Sequence, residues 1–216
     1  MGNIEEMCGS IHKAFRSLKR FRYPFDGIEM PLNGLYVFFE KGEFSHGGDR
    51  IVRVGTHTGK DQLRSRLMQH IVNENKDRSI FRKNVGRALL NKAGDSEMLK
   101  MWDRDMTTAM AKKNALGYDI SKINKVEERV SEFMRNNLSF AVIGVDDKSD
   151  RLNLESRLIS AISLCNECRS SNEWLGNFSP KPKIVESGLW LVNELYKEPF
   201  SDNELEHFLG KYFPKK

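Results

Sequence analysis

Four side chains in the first third of the chain stand where chemistry could be done. Tyr36 lies inside an apolar run, Leu35–Phe39, and Arg53 lies inside a second, Ile51–Gly55. Arg66 and His70 follow at four-residue spacing. An ordinary tyrosine has a pKa near ~10 and needs a nearby cation to handle protons. Histidine titrates near neutrality, and arginine keeps its charge throughout. Far downstream, Glu155 falls among Leu154, Leu158, Ile159 and Ile162. A carboxylate on an apolar helix face is costly unless it is paired or bound to a cation. At the N-terminal end of that arc it can also stay wet, near the helix dipole.

The elements that must position these groups follow from periodicity. Leu35–Phe39 and Ile51–Gly55 predict two strands, joined by a charged, glycine-bearing loop from Lys41 to Arg50. From about Asp61 to Val72, the residues Leu63, Leu67, Met68, Ile71 and Val72 share one helical arc. Arg66 and His70 are neighbours on its flank. There they either face a cleft or only mark a boundary, with the arginine stem snorkelling. Further on, Arg78 pairs with Arg82, and Lys83 with Arg87, at four-residue spacing opposite Phe81, Val85, Ala88 and Leu89. That face is either a phosphate-tracking surface or a solvated helix side. Residues 91–137 read as a helical insertion, with helices at Glu97–Met110 and Ser121–Asn136 and Ser121 as an N-cap. The run Leu138–Val145 is continuously apolar and predicts the buried central strand. Asp146 and Asp147 invite a metal reading, and a turn and helix start explains them equally. Arg151–Leu164 predicts the helix carrying Glu155. Residues 1–33 form an N-terminal helical arm, and Ser187–Tyr196 and Asp202–Phe213 predict closing helices within 187–216.

Taken together, Gly34-Leu35-Tyr36, Val54-Gly55 and Leu63-x-x-Arg66-Leu67-x-x-His70 resemble the GIY-YIG nuclease pattern. One position departs: the second tyrosine of the motif is Arg53 here, so proton handling by that residue is replaced by a fixed charge. The resemblance implies an α/β fold with a small three-stranded antiparallel sheet flanked by helices. It implies divalent-metal-dependent cleavage of DNA using Mg²⁺ or Mn²⁺. Carried over residue by residue, Glu155 would hold the ion, Arg66 would clamp the scissile phosphate, and Tyr36 would orient or deprotonate the water. His70 would contact phosphate or carry a proton, with His57 as a reserve base. The family pattern closes with an asparagine, for which Asn172 is preferred over Asn177 and Asn166. His57, Lys60, Arg64, Arg78, Arg82, Lys83 and Arg87 form the expected nucleic-acid contacts. By analogy with compact members, the setting is restriction- or defence-type. A binding module with cleavage lost at Arg53, and an RNA-directed nuclease, are the competing readings.

Composition bounds this further. The chain has 216 residues, 39% of them hydrophobic, with net charge +5, enough for a proper core. Residues 1–90 carry sixteen Lys or Arg against ten Asp or Glu, and the remainder nineteen against twenty. The half bearing the motif is thus the basic half, mild support for a polyanionic partner. No apolar run has the length of a membrane span, and the acidic N-terminus is unlike a secretory signal. Of three cysteines, Cys165 and Cys168 make a lone C-x-x-C. Zinc needs four ligands and no second pair is present, so reduced thiols in an intracellular, cytoplasmic protein are expected. DNA is the expected partner, a homodimer is an open option, and a membrane is not expected.

Overall fold

Alternation along the first strand sets the architecture. In the computed structural model, which describes residues 3–108, 110, 113 and 117–214, β1 (Gly34–Ser45) pairs on both sides. It is antiparallel to β2 (Gly48–Gly55) and to β3 (Leu138–Gly144), giving the order β2-β1-β3. Successive strand side chains point to opposite faces. Leu35, Val37 and Phe39 therefore enter one apolar cluster and Tyr36 and Phe38 the other. The first cluster is covered by α1 (Ile4–Arg16), α6 (Lys148–Leu164) and α8 (Asp202–Tyr212). The second is covered by α2 (Leu63–Ile71), α3 (Ile80–Lys92), α4 (Ser96–Asp103) and α5 (Ile120–Asn137). This is the expected three-stranded antiparallel sheet flanked by helices.

Several local expectations are corrected. The loop expected from Lys41 to Arg50 is mostly strand. The hairpin closes through His46 and Gly47, both with positive φ (49° and 73°), as a two-residue turn requires. The central strand is β1, and β3 lies outside it. Apart from Ser139, β3 is apolar because helices cover both of its faces. Its outer edge is partly closed by Phe21, which exchanges backbone hydrogen bonds with Phe140. In the expected N-terminal helical arm, α1 packs on the sheet, with Met7, Cys8, Ile11 and Phe15 buried.

Within the expected helical insertion 91–137, α4 and α5 pack into the core. Trp102 is fully buried against Gly86 of α3, where an added Cβ would strike the indole. Ile123, Val126, Val130 and Met134 share the cluster of Phe38 and Phe140. The cap of α5 is Asp119, not Ser121. Of the expected helix Glu97–Met110, Ser96–Asp103 is helical. Residues 109, 111, 112 and 114–116 of this segment, and 1, 2, 215 and 216 at the ends, lie outside the described residues. The expected helix Ser187–Tyr196 is also absent. Helix α7 (Pro182–Ser187) ends at Gly188 in the left-handed region, and Trp190 N then donates to Val52 O at 2.8 Å. Trp190 thereby docks this irregular segment against β2.

Candidate active site

The start of β1, the end of β2, α2 and α6 meet at one end of the sheet. Tyr36 faces Gly55 across the ladder, and its ring lies over that glycine where a Cβ would collide with it. Gly34 is pressed in the same way against the Ile143 carbonyl of β3. Close backbone approach therefore explains both glycines. The Tyr36 hydroxyl is 2.8 Å from His70 Nε2, and His70 Nδ1 is 2.7 Å from Ser79 Oγ. Ser79 caps α3 by accepting from Arg82 N. A buried phenol, imidazole and serine thus form one hydrogen-bonded chain. Burial, then Arg53, Arg66 and Arg82, hold the His70 pKa well below its ordinary value. The imidazole is neutral near pH 7. Burial pushes the Tyr36 phenol up, and Arg53 and Arg66 pull it back toward ionisation.

A bulge places Arg53. Phe38 pairs with Arg53 and Phe39 with Ile51, so Val52 is the extra residue. Arg53 consequently shares the face of Phe38 and Tyr36. Its guanidinium donates to the Trp190 carbonyl and sits 4.7 Å from the centre of the Phe81 ring, while its Nε has no hydrogen-bond partner. Glu155 reaches the same end from the second turn of α6. It accepts from Thr56 N at 3.0 Å, and Thr56 Oγ1 donates to Gly34 O at 2.7 Å. Burial raises the Glu155 pKa, against the pull of Arg53. Arg66 is half-buried on α2, donating to Gln69 Oε1 and Arg78 O. Its charge acts on Tyr36, Arg53, His70 and Glu155. A cleft of about 490 Å³ opens beside them, lined by Arg53, Asn84, Glu155, Trp190, Asn193 and Glu194. A groove of about 350 Å³ between α6 and α8 contains none of these residues.

Tyr36, Arg53, Arg66, His70 and Glu155 are therefore brought together. Other expected residues are not. His57 Nε2 accepts from Gly34 N and its Nδ1 faces the Gly59 carbonyl at 2.7 Å, so neither nitrogen is left for a base or a phosphate. Arg64 is held by the Phe25 and Ile28 carbonyls. The phosphate-tracking face of α3 turns inward. Arg82 forms a buried pair with Glu127 at 2.7 Å, Lys83 pairs with Asp77, and Arg87 with Asp103. These pairs knit α3 to the neighbouring segments. Lys60 and Arg78 remain exposed, on the loop after β2 and the loop before α3. Asp147 caps α6 by accepting from Asp150 N, the helix-start role.

Asn172 and Asn177 belong to a self-bonded turn. Asn177 Nδ2 donates to the Ser171 and Asn172 carbonyls, and neither residue lines the cleft. Asn166 opens a short 3₁₀ turn and accepts from Arg169. The asparagines at the cleft are Asn193 and the buried Asn84. Asn193 was masked in the sequence by the leucines and aromatics around it, which read as packing. Ser79 was legible as a cap before the apolar run of α3. Its partner His70 was not, because the two lie on different elements.

Residues 5–212 match the family model for a GIY-YIG domain. Comparisons with curated proteins and with solved structures return no match. The domain match spans nearly the whole chain, and the chain belongs to the GIY-YIG family, whose members are endonucleases hydrolysing phosphodiester bonds.

Proposed function

We propose that the protein is a divalent-metal-dependent DNA endonuclease. The observation that carries this reading is the convergence of the Tyr36–His70–Ser79 chain, two arginines and Glu155 beside one cleft. Attack of water on a phosphodiester needs a proton acceptor, and a phenol can serve only as the phenolate. His70, neutral and 2.8 Å away, orients the Tyr36 hydroxyl through their hydrogen bond, and the Arg53 and Arg66 charges oppose the burial penalty on ionising the phenol. Ser79 fixes the imidazole by bonding its far nitrogen. Arg53 is too committed to the Trp190 carbonyl to act chiefly as a phosphate ligand. Arg66, half-exposed, is the better clamp for the scissile phosphate and for the charge that develops there.

The residues at the cleft fit a hard cation. Glu155 uses one oxygen on Thr56 N and shares the cleft with oxygen donors of Asn193 and Glu194, a set suited to Mg²⁺ or Mn²⁺. Such an ion, when bound, neutralises phosphoryl and leaving-group charge. A binding module that has lost cleavage is the second reading. It is favoured by Arg53, which brings no usable proton to a position that is tyrosine in the family pattern.

The test is cleavage of supercoiled plasmid, with single-stranded and duplex RNA in parallel, in Mg²⁺, in Mn²⁺ and in EDTA. DNA cleavage should require the ion and vanish in Glu155→Gln, with calorimetry showing weakened Mn²⁺ binding and unchanged circular dichroism. Cleavage of RNA alone would refute the DNA assignment. Binding of DNA without cleavage in any divalent ion would establish the second reading.

A further inference from the structure

We propose that Cys8, Cys165, Cys168 and His46 bind one structural Zn²⁺ at the end of the sheet opposite the cleft. Cys8 lies more than 150 residues from the Cys165–Cys168 pair in sequence, yet all three meet. One ligand atom from each of the four residues lies within 4.8 Å of all the others. Cys8 Sγ is 3.2 Å from Cys168 Sγ, and Cys165 Sγ is 3.4 Å from His46 Nε2. A tetrahedral zinc site with bonds of ~2.0–2.3 Å has ligand–ligand edges near ~3.5–3.8 Å. Closing on an ion would open these two edges by a few tenths of an ångström and bring every other edge, all within 4.8 Å, to the same range. Three thiolates and one imidazole form a closed, soft donor set, which suits zinc in a structural role.

The surroundings are those of a ligand set. His46 Nδ1 faces the Glu167 carboxylate at 3.0 Å, which fixes the ring with Nε2 toward the sulfurs. A carboxylate behind a metal-binding histidine is the usual outer support. Gly9 leaves room for this ring, since a Cβ there would press on it at 3.2 Å. His46 itself sits at positive φ in the hairpin turn, and Arg16 clamps that turn by donating to the Ser45 and His46 carbonyls. The Arg16 charge also offsets a centre that would carry net −1. The nearby His12 is excluded as a ligand. Its Nε2 accepts from Ile51 N, and its Nδ1 bonds to the Cys8 carbonyl.

The ion would join α1, the β1–β2 turn and the end of α6, adding to the bonds that Arg16 and Ser45 already make between them. Cys165 follows Glu155 by ten residues on α6, about 15 Å along the axis. The two proposed metal positions are thus separate, and the zinc site stands or falls independently of the nuclease reading. The sequence hid it because the second ligand pair is split between an N-terminal helix and a hairpin turn.

The test is the metal content of full-length protein, purified under reducing conditions and read by native mass spectrometry and elemental analysis. One zinc per chain is expected, retained in Glu155→Gln and after EDTA washing that strips Mg²⁺. It should be lost in Cys165→Ser and retained in His46→Cys, which keeps four ligands. Replacement by Co²⁺ should produce thiolate-to-metal charge-transfer bands and the intense visible bands of a tetrahedral site. The spectrum and stoichiometry of the parent protein need no variant to fold. Metal-free protein with three freely titrating thiols, or with a Cys8–Cys168 disulfide, would overturn the proposal. So would iron in place of zinc.

Discussion

Gly55→Ala is a one-carbon perturbation aimed at Tyr36, the phenol proposed to handle the attacking water. A Cβ at this position falls 2.6 Å from Tyr36 Cε2 and nearer still to Cζ and Oη. Ordinary contact begins near 3.4 Å, so the ring must withdraw by at least ~0.8 Å from a site already closely packed. A shift of that size stretches the 2.8 Å contact with His70 past ~3.5 Å, where no hydrogen bond remains, or drives the phenol into the imidazole. A misplacement of about 1 Å at a reacting group costs about 100-fold in rate. Overpacking of this kind also costs about 1–3 kcal/mol of stability. The assay is single-turnover cleavage of a labelled duplex at saturating Mg²⁺, below the melting temperature of the variant, with folding checked by circular dichroism. The expected outcome is a rate fall of about two orders of magnitude with DNA affinity unchanged. A rate within twofold of the parent would show that Tyr36 need not hold this position, and the phenolate mechanism would fall.

Arg53→Ala should lose at least ~100-fold in cleavage rate, and Arg53→Lys should recover part of it, because the proposed role is a fixed charge beside Tyr36. Equal losses in both, at unchanged melting temperature, would point instead to the bond with the Trp190 carbonyl. Trp102→Ala should destabilise the domain by about 3–5 kcal/mol, measured by urea denaturation, since α4 and α5 complete the core; a cost below 1 kcal/mol would restore the picture of a detachable insertion. Glu40 accepts hydrogen bonds from Trp174 and Trp190, and burial raises its pKa from 4.5 to about 7. A raised carboxyl binds its proton more tightly in the folded state, so its contribution to stability falls as pH rises from about 4.5 to 7. Glu40→Gln should therefore gain on the parent through that window by up to ~3 kcal/mol and level off above it; a gap independent of pH would refute the assignment.

Local pattern by itself determined the strands, the Glu155 helix and the family of this protein. Gly34, Tyr36, Gly55, Arg66 and His70 lie within 37 residues on consecutive elements, where strand alternation and helical spacing dictate direction. Their convergence was therefore legible. What tertiary structure decided were the partners that arrive from elsewhere. The same basic residues of α3 could have faced solvent or the interior, and only the position of Asp77, Asp103 and Glu127 turned them inward. Asn193 displaced Asn172 at the cleft because Gly188 stops α7 and Trp190 docks the chain against β2. His57 is held by two backbone groups that no side-chain pattern reveals. The cysteines meet across separations of up to 160 residues. Helical and strand periods specify which face a residue occupies, but not which other element covers that face.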